Sequence, residues 1–251
     1  MSGHSKWSTI KRKKGAADAK RGQLFTRLAR EIVIAVREGG GDPEANFRLR
    51  LTIDKARTNN MPKENIDRAI KRGLGGDKDG STLEHVIYEG YGPHGVAIMV
   101  ECVTDNRNRV VAEIRHILTR HGGSLGEGGS VAWQFKRSAY FSFPAKGQDP
   151  DKMFELAVDA GADDVIFDEE DIEIYAPVEA FKQISDRLHA VKIAVEEAGI
   201  RMIPTNEMDL SKEDSLQVMR VIDGLEEIDD VQDVYSNLNL SDEVLAQLET
   251  A

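Results

Sequence analysis

Apolar residues at the front of the chain recur at helical spacing. Leu24, Leu28, Ile32 and Ala35 form one stripe, widened by Phe25 and Val36, which predicts a helix from Ala16 to the glycines at 39–41. A second helix is expected with Asp42 as its N-cap, Pro43 in its first turn and Leu49, Ile53 and Ala56 inward, stopped by Asn59-Asn60. Pro62 opens a third, with Ile66 and Ile70 inward and Gly73 at its close. The stretch GLGGDKDGS at 73–81 reads as a linker.

Beyond the linker the period changes. HVIYEGYG and GVAIMVECVT predict two strands across a Gly-Pro turn, and Asp105 is expected to cap a helix with Val110, Ile114 and Ile117 inward. The glycine-rich GGSLGEGGS reads as a flexible connection into a strand, VAWQFKR, with Trp133 and Phe135 as core positions. The strand SAYFSFPA, a helix at 150–160, two strands around an acidic turn, a helix at 178–198 and the strand IRMIPTNEMDL follow. That βαββαβ order is the ferredoxin-like signature. A last helix from about Asp214 to Leu225 and the strand VQDVYSNL need a sheet to join.

The expected fold is therefore α+β: an N-terminal three-helix domain, then two α+β domains, the third ferredoxin-like and inserted into the second. The boundaries read 1–73 for basic arm and bundle, 74–81 for the linker, 82–136 plus 212–240 for the middle domain, and 137–211 for the ferredoxin-like domain.

Charge sharpens this picture. Of the 251 residues 31% are charged, and the net charge is -11, but the sign is divided along the chain. Through Gly73 there are 18 Lys and Arg against 8 Asp and Glu, a balance of +10; the remainder holds 15 against 36, a balance of -21. One end suits a polyanion and the rest must stay off it, so nucleic acid leads among partner classes. No run of about 18 apolar residues is present, so no membrane partner is expected. The single cysteine, Cys102, forms no intrachain disulfide, and with no apolar h-region after the N-terminal charge the expected location is the cytoplasm.

Two stretches carry candidate chemistry. In the first, Lys6, Lys11, Arg12, Lys13 and Lys14 surround Trp7 with few apolar neighbours, and Lys20, Arg21 and Arg27 continue the charge into the bundle. Such an arm neutralises phosphates, and its indole stacks on an unpaired base. A solvated terminus with no partner is the plain alternative. In the second, Asn106, Arg107, Asn108 and Arg109 fall where a strand meets a helix, where N–H groups and guanidinium forks converge on phosphate or where the helix is simply capped.

Other motifs point to no catalysis. GGSLGEGGS lacks the GK[ST] ending of a phosphate loop, and DDVIFDEEDIE lacks calcium-loop spacing and reads as a solvated hairpin. The six histidines show no metal-ligand spacing. No cofactor, metal or small-molecule substrate is expected, and the chain does not read as an enzyme.

The blocks GHSKWSTIKRKKGAADAKRGQLFTRLAREI, KARTNNMPKENIDRAIKRG, YEGYGPHGVAIMVECVTDNRNR and GGSLGEGGSVAWQFKR resemble the signature of the YebC/PmpR family, which includes the mitochondrial translational activator of cytochrome c oxidase. The resemblance implies the three-domain fold and no catalytic residues. It marks Lys6, Trp7, Ile10, Lys11, Lys14, Lys20, Arg21 and Asn106 to Arg109 as the basic signature. It also implies one of two roles: a DNA-binding transcriptional regulator, or a ribosome-associated translation factor that relieves stalling at sequences such as proline runs. No polar recognition helix is evident in the bundle. A basic arm with Trp7 on a body of charge -21 suits structured RNA better than base readout from a rigid element. The expectation is therefore a translation factor that contacts ribosomal or transfer RNA on the ribosome, with duplex-DNA regulation as the alternative.

Overall fold

The computed structural model describes residues 18–75, 83–168, 170–241 and 243–246, with side chains from residue 22 onward. The arm at 1–17 and most of the expected linker lie outside the described residues. The rest falls into two units, one built from residues up to 135 together with those from 204 onward, the other from 136–203.

The first unit opens with α1 (Asp18–Gly39), α2 (Phe47–Thr58) and α3 (Lys63–Gly73). Leu28, Ile32, Ala35, Val36, Leu49, Ile53, Ala56 and Ile66 make their shared core, closed by Leu83 and Val103. Asp42 is not the cap of α2; that residue is Asn46. Its Oδ1 accepts the Leu49 N–H at 3.1 Å while its Nδ2 donates to the carbonyls of Ala35 and Gly40, both at 2.7 Å. One buried amide thus satisfies the orphan groups of one helix end and the next helix start.

Next come β1 (Glu84–Tyr91), β2 (Ala97–Thr104), α4 (Arg107–Arg120) and the short β3 (Ser124–Leu125). After the second unit the chain returns through β8 (Met208–Asp209), α7 (Lys212–Glu226), β9 (Val231–Ser236) and β10 (Leu238–Asn239). The sheet order is β3-β1-β2-β9, with β1, β2 and β9 antiparallel neighbours, and β8 pairs with β10 in parallel. Alternation along β2 sends Ile98, Val100 and Cys102 into a core with Val110, Ile114 and Leu118 of α4 and Val218, Val221, Ile222 and Leu225 of α7.

The second unit holds β4 (Phe135–Pro144, its first residue in the first unit), α5 (Pro150–Asp159), β5 (Asp164–Phe167), β6 (Asp171–Ala176), α6 (Phe181–Ala190) and β7 (Glu197–Pro204, its last residue in the first unit). The sheet order is β5-β6-β4-β7. The helix expected over 178–198 is shorter, because Lys192 adopts a left-handed φ of 62° and turns the chain toward β7. β7 in turn ends at Pro204, so Met208 and Asp209 belong to the other sheet pair.

Two burial expectations are corrected. Trp133 is not a core residue: it lies in a 3-10 turn at Ala132–Gln134 and is 70% exposed, while Phe135 is buried. Glu173, expected on a solvated hairpin, is 4% exposed and accepts hydrogen bonds from Tyr140 Oη at 2.9 Å and Tyr175 Oη at 2.7 Å. The two tyrosines face each other across β4 and β6, with their rings 5.4 Å apart edge to face.

Candidate nucleic-acid interface

The basic residues of the first unit divide into those engaged within the fold and those left outward. Gln23, Arg27 and Arg30 lie on one face of α1, at i, i+4 and i+7. Arg27 Nη2 donates to the carbonyl of Glu226 at 3.0 Å, and Arg30 Nη1 donates to the carbonyl of Asp229 at 2.5 Å. Gln23 Nε2 reaches the Asp229 carboxylate at 3.4 Å. Cations therefore meet the carbonyl-rich C-terminal end of α7, where the helix dipole favours positive charge.

Asp230 is the centre of this contact. Its side chain is 3% exposed; Arg30 Nη1 lies 2.7 Å from Oδ1, and Arg109 Nη2 lies 2.7 Å from Oδ2. Arg109 also donates through Nε to Oδ2 at 3.2 Å and through Nη2 to Asp105 at 3.0 Å. The hydrogen bond to Asp230, reinforced by Asp105, holds the Arg109 guanidinium even more firmly protonated than usual.

The second candidate stretch sits at the start of α4. Asn106, rather than Asp105, is the N-cap: its Oδ1 accepts the Arg109 N–H at 3.1 Å. Arg107 Nε pairs with Glu84 at 2.5 Å while most of its side chain remains exposed, and Asn108 is exposed. Of the expected site residues, Arg27, Asn106, Arg107 and Arg109 are thus engaged within the first unit, Arg107 with its side chain still mostly exposed, and Asn108 faces outward. Lys6, Trp7, Lys11, Arg12, Lys13 and Lys14 lie outside the described residues, as do the side chains of Lys20 and Arg21 in α1.

The helical pattern places Arg68 and Lys71 on the outer face of the bundle without marking them as site residues. One turn apart on α3, both are exposed and have no hydrogen bond or ion pair with another described residue, and the same holds for Lys63. By contrast, Arg48 pairs with Glu38, Lys55 with Glu31 at 3.8 Å and Arg57 with Asp54 at 3.3 Å. α3 thus carries exposed cations interleaved with the exposed carboxylates Glu64 and Asp67, and Arg115 and Arg120 of α4 are likewise exposed without such a partner.

A groove of about 780 Å³ beside the Asp230 contact is lined by Asp105, Glu113, Glu227 and Asp229 as well as Arg30 and Arg109. Its carboxylates repel phosphate. Among the described residues no cluster of three or more His, Cys, Asp or Glu side chains is arranged to hold a metal ion, and no helix is long and apolar enough to cross a membrane.

Residues 5–76 match the model of the TACO1/YebC protein N-terminal domain, and residues 83–238 match that of the TACO1/YebC second and third domain. The chain belongs to the TACO1/YebC family. It is a regulatory protein and not an enzyme. It is 51% identical over 250 residues, 99% of each chain, to the "probable transcriptional regulatory protein CT1665" of Chlorobaculum tepidum. A "probable transcriptional regulatory protein" of Acidithiobacillus ferrooxidans is 52% identical over 249 residues, again 99% of each chain. The crystal structure of the conserved hypothetical protein Aq1575 from Aquifex aeolicus matches with a TM-score of 0.83 and 44% identity, covering 91% of this chain and 94% of that one. That similarity extends the α+β architecture, with three helices ahead of two sheet-containing regions, to a solved relative.

Proposed function

We propose that this TACO1/YebC protein is an intracellular, ribosome-associated translation factor that contacts ribosomal or transfer RNA and relieves stalled translation. The observation that carries the reading is the division of charge, +10 through Gly73 and -21 beyond it. The Arg27 and Arg30 contacts support it, because they tie α1, the helix that follows the basic segment in sequence, to the α7 end. Phosphate binding falls to the residues around Lys11 to Lys14, with Lys20, Arg21, Arg107, Arg68 and Lys71 as auxiliary cations, while carboxylates elsewhere set orientation by repulsion. We read the second unit, 136–203, as a ferredoxin-like insertion in the middle domain, shorter at its end than the expected 137–211 because Met208 and Asp209 pair with β10, with the acidic insertion held off the RNA.

A second reading, a duplex-DNA-binding transcriptional regulator, is favoured by the names of the relatives. Co-sedimentation with ribosomes through a sucrose gradient, followed by ribosome profiling of a deletion strain, separates the two. Comigration with pauses at particular codon contexts supports the translation factor. Unchanged ribosome occupancy with altered promoter output supports the DNA regulator.

A further inference from the structure

Trp133 is an exposed indole on a fixed support. Residues 126–134 are fastened to β1 through Glu89: Gly126 N–H donates to its carbonyl at 2.8 Å, Gly129 N–H to Oε1 at 2.7 Å, and the Val131 and Ala132 N–H groups to Oε2 at 2.8 Å. The Ser130 carbonyl accepts both the Trp133 Nε1–H at 3.1 Å and the Tyr91 hydroxyl at 3.0 Å. Val131 and Phe135, on either side of the turn, are buried. The polar edge of the indole is thus satisfied internally, and what remains for a partner is the π face, already held in place, so little ordering entropy opposes stacking.

The glycines of the same loop add a second observation. A side chain at Gly126 would strike Ser130 Oγ at 2.4 Å, and Gly129 has a φ of +88°, so the fold requires both. Gly128 has neither constraint: its φ is ordinary for any residue and a Cβ there would meet nothing within 4 Å. A bare backbone without a packing reason, five residues before an exposed aromatic on the same segment, leaves clearance for something to approach. Glu127, exposed on the same loop, makes the surface a poor one for phosphate. The N–H donors of Gly129, Val131 and Ala132 point inward at Glu89, so they offer no ladder for an extended peptide.

We infer that Trp133 is a stacking platform for an unpaired nucleobase of an RNA strand, a contact made through the base face and not through the backbone. This rests on the RNA-binding reading above and deepens it. Stacking on an aromatic face tolerates any base, whereas cations on phosphate make affinity depend on salt. The cations of the arm and the Trp133 ring therefore act through separable physics.

The test uses the full chain with Trp7→Phe, which leaves Trp133 as the one indole of the two in the sequence. Its emission is followed during titration with single-stranded oligouridylate, with a fully paired RNA duplex and with an oligoproline peptide. Strong quenching by the single strand and little by the duplex is expected. In the natural chain, Trp133→Ala should weaken single-strand binding about tenfold with the salt slope unchanged. If the strand binds but emission is unmoved and Trp133→Ala binds as the natural chain does, stacking is overturned while the RNA-binding reading stands. If the natural chain binds neither RNA, both fall. Quenching by oligoproline that matches or exceeds that by RNA overturns the base in favour of a peptide.

Discussion

Arg109 Nη2 lies 2.7 Å from Asp230 Oδ2, joining the first turn of α4 to the residue before β9 across 121 positions of sequence. Arg30 of α1 approaches the other oxygen of the same carboxylate at 2.7 Å. One buried anion thus links the helices to the first sheet. Removing it leaves two guanidinium groups facing each other, one of them largely buried. Breaking such a pair costs about 3 kcal/mol. Asp230→Ala should lose about that much in urea unfolding, and Arg30→Ala somewhat less, because Arg109 still compensates the carboxylate.

Glu89 makes a pH-dependent prediction. Burial opposes its ionisation, but the N–H donors of Gly129, Val131 and Ala132 outweigh that and hold its carboxyl below the usual range. A carboxylate with a depressed folded value contributes stability that is present above its unfolded value, about 4.3, and is lost as pH falls through the folded one. The loop should therefore loosen only at a pH below the ordinary glutamate range. Glu89→Gln, which sets an amide N–H against backbone donors, should loosen it at neutral pH. Trp133 anisotropy in the Trp7→Phe chain reads both.

The buried Glu173 network in the second unit behaves in the opposite sense. Burial first, and the Glu173 carboxylate next, push the Tyr175 hydroxyl well above its ordinary value; burial does the same to Tyr140. A tyrosine with a raised folded value favours the fold fully below about pH 10 and loses that contribution as pH rises beyond it. Tyr175→Phe removes one of the two hydroxyl donors to Glu173 and should cost about 1–3 kcal/mol, measured by denaturant unfolding.

Cys102 is fully buried in β2, and desolvation, helped by Asp230 and Glu101, pushes its thiol up to about 12. The thiolate is the reactive form. A disulfide reagent at pH 8 should leave the native chain unmodified and label it at the rate of opening when urea is added. Rapid labelling of the native chain would contradict the packing of the first sheet.

The legible parts of the fold are those written in local periodicity. The stripe Leu28-Ile32-Ala35, the apolar run of β2 and the glycines at 39–41 each name their element without help from distant residues. Illegible were the partners set by tertiary contact. Arg27 and Arg30 look like solvent-facing cations until the α7 end, about 200 residues on, is brought beside them. Asn46 serves two helices at once, which no capping pattern on either one reveals. Trp133 alternates like a core strand residue, and only the Glu89 anchor, a carboxylate 43 positions before Ala132, turns that segment outward. The acidic run hid Glu173 because Tyr140 on the facing strand, together with Tyr175 two residues on, decides its burial.

Charge placement on the bundle yields a separate expectation. Arg68→Glu with Lys71→Glu reverses two exposed cations of α3 without removing a described ion pair. It should weaken RNA binding at low salt several-fold and leave thermal stability within about 0.5 kcal/mol of the natural chain. A filter-binding series with calorimetry in parallel reads both quantities.

Whether the basic front of the chain grips phosphate is read most directly from the salt dependence of RNA affinity. The natural chain is compared with one carrying Lys11, Arg12, Lys13 and Lys14 all changed to alanine. Affinity of the natural chain should fall steeply as salt rises. For the variant the fall should be shallower, its logarithmic slope smaller by about 0.7 for each phosphate that is no longer neutralised. Equal affinities and equal slopes for the two chains would contradict a phosphate-gripping arm.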